Sequence, residues 1–287
     1  MFNSVIIAHR NRPTCLRVIL RSLLLASQNA KSSYEVIIAD LKSSSSSKNT
    51  LNLYKDTSLN LKVLDHKYGG PFWKTKALNS AARHAAGHYI TMIDVDSIVN
   101  CNFFSSTEEF FADNKNKKNK LAYRVFYLSP VTSKIIYKKH DSFDCDFLSK
   151  RIWNPKNTYS KALERYTGKE RFLGHISSAK HKMAMQQWAL GNSHFTMKKK
   201  YYMDIGGYDE KFIGHGLEDL DFNLRTWRYL HSGTLRPQLE YAIFHVTHKK
   251  EGDWFDMSLR ERNRKVYREN KRKRKTVIPM SSDWGIF

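Results

Sequence analysis

The chain has 287 residues, of which 41% are hydrophobic and 13% aromatic; this supplies a sizeable core for one large domain and excludes a globally disordered protein. A formal charge of +22 points to polyanionic partners: nucleic acid, acidic lipid, acidic polysaccharide or nucleotide diphosphates. Cys15, Cys101 and Cys145 are odd in number and form no CxxC pair, so neither a disulfide framework nor a thiolate zinc site is expected, and a reducing compartment is. The apolar start Val5–Ala8 lacks a basic lead-in, and Arg21 interrupts the next apolar run, so a cytoplasmic protein, soluble or peripheral, is expected.

In chain order, Ser4–Ala8 is a continuous apolar run suited to a strand buried on both faces. Leu16, Ile19, Leu20, Leu23 and Leu24 then recur at helical spacing behind Pro13, a residue favoured at helix starts. Glu35–Ala39 predicts a second strand ending at Asp40, and the serine run Ser43–Ser47 predicts a flexible loop. Leu61–Leu64 reads as a short strand. Lys74–Ala86 reads as an alanine-rich helix closed by Gly87, and Tyr89–Ile93 as a strand ending in Asp94-Val95-Asp96. This alternation argues for a mainly parallel sheet flanked by helices. Ligands of such sheets bind at the carboxyl ends of strands, so Asp40, Asp94 and Asp96 are expected to meet in one cleft. Further on, Leu121–Leu128 and Lys134–Tyr137 are candidate paired strands. Arg260–Lys275 carries ten basic residues against Glu261 and Glu269, the pattern of a solvated tail or a membrane-surface anchor.

Three groups of residues carry chemistry. Asp94 and Asp96 at a strand end suit a divalent cation that neutralises a bound diphosphate. Glu218, Asp219 and Asp221 open a helix after a turn rich in glycine, Gly206-Gly207 to Gly214-His215-Gly216; an ionised carboxylate there can accept a proton from an attacking hydroxyl, although one of the three also suits an N-cap. His245 and His248, behind the alternating run 239–244, can add imidazole ligands to a metal but are too few for a zinc site by themselves.

The ordered segments SVIIAHRNR, EVIIADLKSS, KTKALNSAARHAAGHYITMIDVDS and GGYDEKFIGHGLEDLDF resemble GT-A glycosyltransferases of the family 2 type. The last of them resembles the C-terminal region of β1,4-galactosyltransferases, N-acetylgalactosaminyltransferases and chondroitin-polymerase-like enzymes. The resemblance covers residues 4–100 and about 190–250, and departs from many relatives at Leu41, at His215 and in the serine run. It implies an α/β GT-A fold over residues 1–258 (a nucleotide-binding half to residue 100, then an acceptor and catalytic half), with residues 259–287 as a basic extension.

It further implies that Asp40 contacts the uracil or ribose of UDP, that Ala8, His9 and Arg10 line the nucleotide pocket, and that Lys76 and Asn79 lie near it. Asp94, beside Val95, would approach the ribose or donor sugar. Asp96 and His248 would ligate Mn²⁺ (or Mg²⁺), with His245 at a neighbouring ligand position, and Glu218 would hold sugar hydroxyls. Asp219 would be the catalytic base for inverting transfer of a sugar, Gal, GalNAc or GlcNAc favoured, from a UDP-sugar to a glycan or glycolipid acceptor. Phe72, Trp73 and Trp188 are candidate sugar platforms. Retaining chemistry on the same fold and a basic polyanion-binding protein are the alternatives; no helix-turn-helix, zinc finger or RNP motif supports nucleic acid as a partner.

Overall fold

A computed structural model describes residues 1–115, 117–152, 158–159, 193–230, 234–235, 241–248 and 256–287. The chain runs β1 (Asn3–His9), α1 (Pro13–Ser27), β2 (Tyr34–Leu41), α2 (Ser45–Lys55), β3 (Leu61–His66), α3 (Lys74–His84), β4 (Tyr89–Met92), β5 (Ser97–Val99) and α4 (Phe103–Asp113). It continues through β6 (Lys120–Ala122), β7 (Arg124–Leu128), α5 (Pro130–Lys138), α6 (Cys145–Arg151), β8 (Thr158–Tyr159), β9 (Phe195–Lys198) and α7 (Lys199–Asp204). The last elements are α8 (Glu218–Leu230), β10 (Thr234–Leu235), β11 (Ala242–His245) and α9 (Met257–Arg272).

The main sheet has the order β10-β6-β9-β4-β1-β2-β3. Its central strands β4, β1, β2 and β3 are parallel, and β9 pairs antiparallel with both β4 and β6. The apolar run of β1 serves both faces of this sheet: Val5 and Ile7 enter one hydrophobic core, Ile6 and Ala8 the other. α1 covers the first face with Leu16, Ile19, Leu20 and Leu23, and α3 covers the second with Ala77, Leu78, Ala81 and Ala82. A smaller sheet, β5-β11-β7-β8, stands beside it. The mainly parallel sheet flanked by helices is the architecture the alternation predicts.

Several expectations are corrected. Ser45–Ser47 open α2 rather than a loop, because Ser44 occupies the N-cap position and Leu51 and Tyr54 bury the helix face in the same core as α1. Lys134–Tyr137 lie in α5, not in a strand: Pro130 stands at its first turn, and Ser129 accepts a hydrogen bond from the Thr132 N–H. Cys101 and Cys145 form a disulfide across 44 residues, because α6 starts against the turn that precedes α4. That pairing removes the ground for expecting a reducing compartment; Cys15 is a free, buried thiol.

The basic stretch 260–275 forms most of α9 rather than a loose tail. This helix has almost no apolar stripe and is held instead by two buried amides seven residues apart on one face. Asn263 donates to the Ile213 and Gly216 carbonyls, and Asn270 donates to Asp209 and Asp221. Farther on, Trp284 is buried and donates to the Gly206 carbonyl, while the Ile278 N–H bonds the Ile205 carbonyl. A Cβ on Gly206 would lie 1.8 Å from the Ile278 carbonyl oxygen, so only glycine admits this crossing. Among the described residues, no helix is long and apolar enough to cross a membrane. Trp188 lies outside the described residues.

Candidate active site

The carboxyl ends of β1, β2 and β4 share one edge of the main sheet, since His9 is in register with Asp40 and Ile6 with Met92. Asp94-Val95-Asp96 leaves that edge directly after β4 and enters β5. There β11 pairs with β5 in the register His245 to Ser97, and the Val246 N–H bonds the Asp96 carbonyl at 2.9 Å. Sheet pairing therefore carries both histidines to Asp96 across some 150 residues of sequence. Thr247 fixes the turn between them, its N–H donating to Ser133 and its hydroxyl to the Leu128 carbonyl.

The first cluster results from this pairing. Asp96 Oδ2 lies 2.9 Å from His248 Nε2, and Asp96 Oδ1 lies 3.5 Å from His245 Nε2. One ligand atom from each of the three residues falls within 4.8 Å of the others, a spacing that suits one cation. Asp96 Oδ1 is buried, and among the described residues it lacks a well-formed hydrogen bond, its nearest polar neighbour being His245 Nε2 at 3.5 Å. A carboxylate and two imidazoles, leaving further positions for phosphate oxygens or water, form a donor set for Mn²⁺ and related divalent ions. The residues fit such a group. Arg12 also reaches this cluster, its Nη1 being 2.7 Å from Asp96 Oδ2 and 3.3 Å from His248 Nε2. Burial alone would raise the Asp96 carboxyl, but His245, His248 and Arg12 hold it well below the usual carboxylate range.

The second cluster surrounds Lys74. Its ammonium is 3.0 Å from Asp94, 3.2 Å from Asp219 and 3.8 Å from Glu218, thereby joining the end of β4 to the start of α8. The Tyr208 hydroxyl donates to Asp219 Oδ1 at 3.0 Å, and the Ser193 hydroxyl donates to Asp94 Oδ2 at 2.5 Å. Burial would lower the Lys74 ammonium; Asp219, Asp94 and Glu218 raise it instead, so it stays charged. Asp219 is pushed up to about 7, first by burial and then by Glu218 and Asp94, against the pull of Lys74. A carboxylate poised near neutrality and 18% exposed can take a proton from a bound hydroxyl. Glu218 is only 3% exposed, and its Oε2 accepts from the Gly216 N–H while its Oε1 faces Lys74.

Asp94, Asp96, Glu218, Asp219, His245 and His248 thus converge at one edge of the sheet. The remaining expected site residues are placed differently. Asp40 is 1% exposed and turned inward, both its oxygens engaged by the N–H and hydroxyl of Ser43. His9 is fully buried beside it and lowered to about 3 by desolvation and by Arg12. Arg10 donates to the carbonyls of Leu41, Tyr68 and Gly70, tying three loops together at the same edge. Ala8 and Val95 are buried in the two cores. Asn79 is completely buried; its amide donates to Tyr208 and Glu210 and accepts from Tyr202 and Tyr208. Lys76, two positions after Lys74, emerges on the other side of α3, where it faces Glu210, Asp283 and the Trp73 ring. Trp73 itself donates to the Glu210 carbonyl, and Phe72 lies under the Arg10 guanidinium.

Arg12, Lys74, Tyr208 and Ser193 are site residues that motif reading does not single out. A signal for two of them lies in the sequence. Arg12 occupies the N-cap of α1 and Lys74 the first position of α3, with no acidic residue in either first turn. A cation at a helix N-terminus opposes the helix dipole, so carboxylates from elsewhere must compensate it.

The model of the glycosyltransferase like family 2 matches residues 4–250 of this chain. Among solved structures, S. aureus TarS 1–349 aligns with a TM-score of 0.56 at 16% identity, over 86% of this chain and 60% of that one. The same protein in complex with UDP aligns at 0.56 and 17% identity, over 86% and 61%. Its complex with UDP-GlcNAc aligns at 0.54 and 15% identity, over 88% and 60%. The chain therefore spans about three fifths of those solved chains. No curated protein matches it. By the match of the family model over most of its length, this chain belongs to the glycosyltransferase like family 2, and it shares the fold of the TarS structures.

Proposed function

We propose that the enzyme transfers a hexose, with Gal, GalNAc and GlcNAc favoured, from a UDP-sugar to a hydroxyl of a glycan or glycolipid, with inversion at the anomeric carbon. The observation that carries this reading is the adjacency of two unlike clusters. A metal-type donor set lies at Asp96, His245 and His248, and a near-neutral carboxylate lies at Asp219, with Asp94 and Lys74 between them. The TarS complexes with UDP and UDP-GlcNAc, on the same fold, support a UDP-sugar as donor.

In this mechanism Asp219 accepts the proton of the acceptor hydroxyl, whose oxygen attacks the anomeric carbon from the face opposite the nucleotide as the bond to UDP breaks. Tyr208 and Lys74 hold the Asp219 carboxylate in place, and Lys74 fixes Asp94 at the donor side of the same cleft. Arg10 and Asp40 order the loops around the nucleotide. A divalent cation, Mn²⁺ or Mg²⁺, held by Asp96, His245 and His248 would offset the charge that grows on the leaving diphosphate. On α9, Arg264, Lys265, Arg268, Lys271 and Arg272 are exposed, with Lys265, Arg268 and Arg272 on the side opposite Asn263 and Asn270. This basic ridge would set the enzyme against an anionic membrane face, where a glycolipid acceptor would lie.

The test is UDP release from a panel of UDP-sugars with Mn²⁺ or EDTA, with the product anomer read by NMR. Metal-dependent release with one donor and an inverted product supports the proposal. No release with any donor refutes it, and a retained anomer refutes the single displacement.

A further inference from the structure

Arg12 stands among the residues that would hold the metal, and none of the steps above uses it there. Its guanidinium is 2.7 Å from Asp96 Oδ2, the same oxygen that lies 2.9 Å from His248 Nε2, and it is 3.3 Å from that nitrogen. One positive nitrogen therefore sits against two of the three ligand atoms. Without it, the Asp96 carboxylate would be a buried charge facing only two imidazoles, which is costly. A divalent ion bound to those same atoms would lie within a few ångströms of the guanidinium, and in a buried setting two cations at that range repel strongly. Arg12 and an ion held by these three residues therefore compete for the one Asp96 carboxylate.

We propose that Arg12 is an internal counter-ion that competes with the divalent cation for Asp96, and that its release couples metal binding to nucleotide binding. The inference rests on reading Asp96, His245 and His248 as a metal centre. The placement of Arg12 supports the exchange. It ends the short connection between β1 and α1, at the strand edge where the diphosphate of the donor is proposed to bind, and its side chain is 21% exposed. A long, flexible side chain at that position can leave Asp96 and offer its guanidinium to phosphate oxygens, a geometry suited to bidentate contact. The nucleotide then stabilises the displaced arginine, and the displaced arginine opens the metal site. Each ligand favours the other by the same factor.

The experiment measures Mn²⁺ binding to the metal-stripped full chain by the EPR signal of free Mn²⁺, with and without UDP, for wild type, Arg12→Met, Arg12→Gln and Arg12→Lys. Without UDP, Arg12→Met is expected to bind Mn²⁺ at least tenfold more tightly than wild type. Arg12→Gln, which keeps a neutral donor toward Asp96, guards against a folding defect and is expected to behave like Arg12→Met, whereas Arg12→Lys stays close to wild type. Adding UDP should tighten Mn²⁺ binding more in wild type than in either neutral variant. Unchanged or weaker Mn²⁺ affinity in both neutral variants overturns the role of Arg12 and leaves the metal centre standing. Absence of Mn²⁺ binding in every protein, with and without UDP, overturns the metal centre itself and this inference with it.

Discussion

Replacing Lys74 with methionine removes the one ammonium that Asp94, Asp219 and Glu218 share, at 3.0, 3.2 and 3.8 Å. At 3.2 Å and an effective dielectric near 20, its attraction to Asp219 is about 5 kcal/mol. Solvent at the partly exposed Asp219 reduces the realised effect, so an upward shift of roughly one to three pKa units is expected, each unit being worth about 1.4 kcal/mol. Asp219 already stands at about 7, and it works as a base only when ionised. Activity of the wild type should therefore rise with pH through about 7, and in Lys74→Met the same limb should move to above 8. Among the described residues, the groups facing Asp219 are Lys74 on α3, Asp94 after β4, Tyr208, His215, Glu218, and the buried Lys120 on β6. Of these, Lys74 makes the shortest charged contact. The assay is kcat/KM for sugar transfer between pH 5.5 and 9.5 at saturating Mn²⁺, with Lys74→Arg as the control that restores the charge. An acid limb at the same pH in Lys74→Met and wild type would refute the reasoning.

Stability follows the same linkage with a defined sign. Because the folded-state value of Asp219 is raised from 3.8 to about 7, its contribution is fully present below about pH 4 and is lost as pH rises through about 7; thermal melts of the metal-free protein should show that loss. The Cys101–Cys145 bridge closes 44 residues, for which chain entropy gives about 4 kcal/mol. The double serine variant should unfold at correspondingly lower denaturant concentration, and an unchanged midpoint would deny the bridge a role in stability. Reversing Lys265, Arg268 and Arg272 to glutamate should abolish co-sedimentation with vesicles of anionic phosphatidylglycerol while leaving UDP release intact. Equal binding of wild type to neutral phosphatidylcholine vesicles would contradict the electrostatic reading of α9.

The parts of this fold legible in the sequence are those where one strand meets two cores. The runs Val5–Ala8 in β1 and Val36–Ala39 in β2 are apolar throughout because both faces are covered, and each ends where its polar loop or carboxylate begins. The serine segment misled because its local composition suits a loop, whereas the burial of Leu51 and Tyr54 against α1 decides for helix. For α5 a local signal was present, Ser129-Pro130 as cap and first turn, and it outweighs the β-branched residues that follow. The disulfide carried no local spacing and depends on two helices meeting in space.

At the site, the acidic and imidazole residues were legible because strand ends and helix starts expose them. Their compensating cations were not. Arg12 and Lys74 look like ordinary surface charges until the helices they begin are placed, and each then opposes a helix dipole that distant carboxylates offset. Asn79, a polar residue on the helix beside the cleft, is buried, and its amide bonds Tyr202, Tyr208 and Glu210, contacts that its sequence neighbourhood does not show.

The account turns on Asp219, and the most direct measurement is sugar transfer by Asp219→Asn alongside its affinity for UDP and Mn²⁺. The amide keeps the shape and the Tyr208 contact but cannot take a proton at neutral pH. Loss of transfer by about a thousandfold or more, with UDP and Mn²⁺ binding retained, is the predicted result. Transfer within a fewfold of wild type would contradict it.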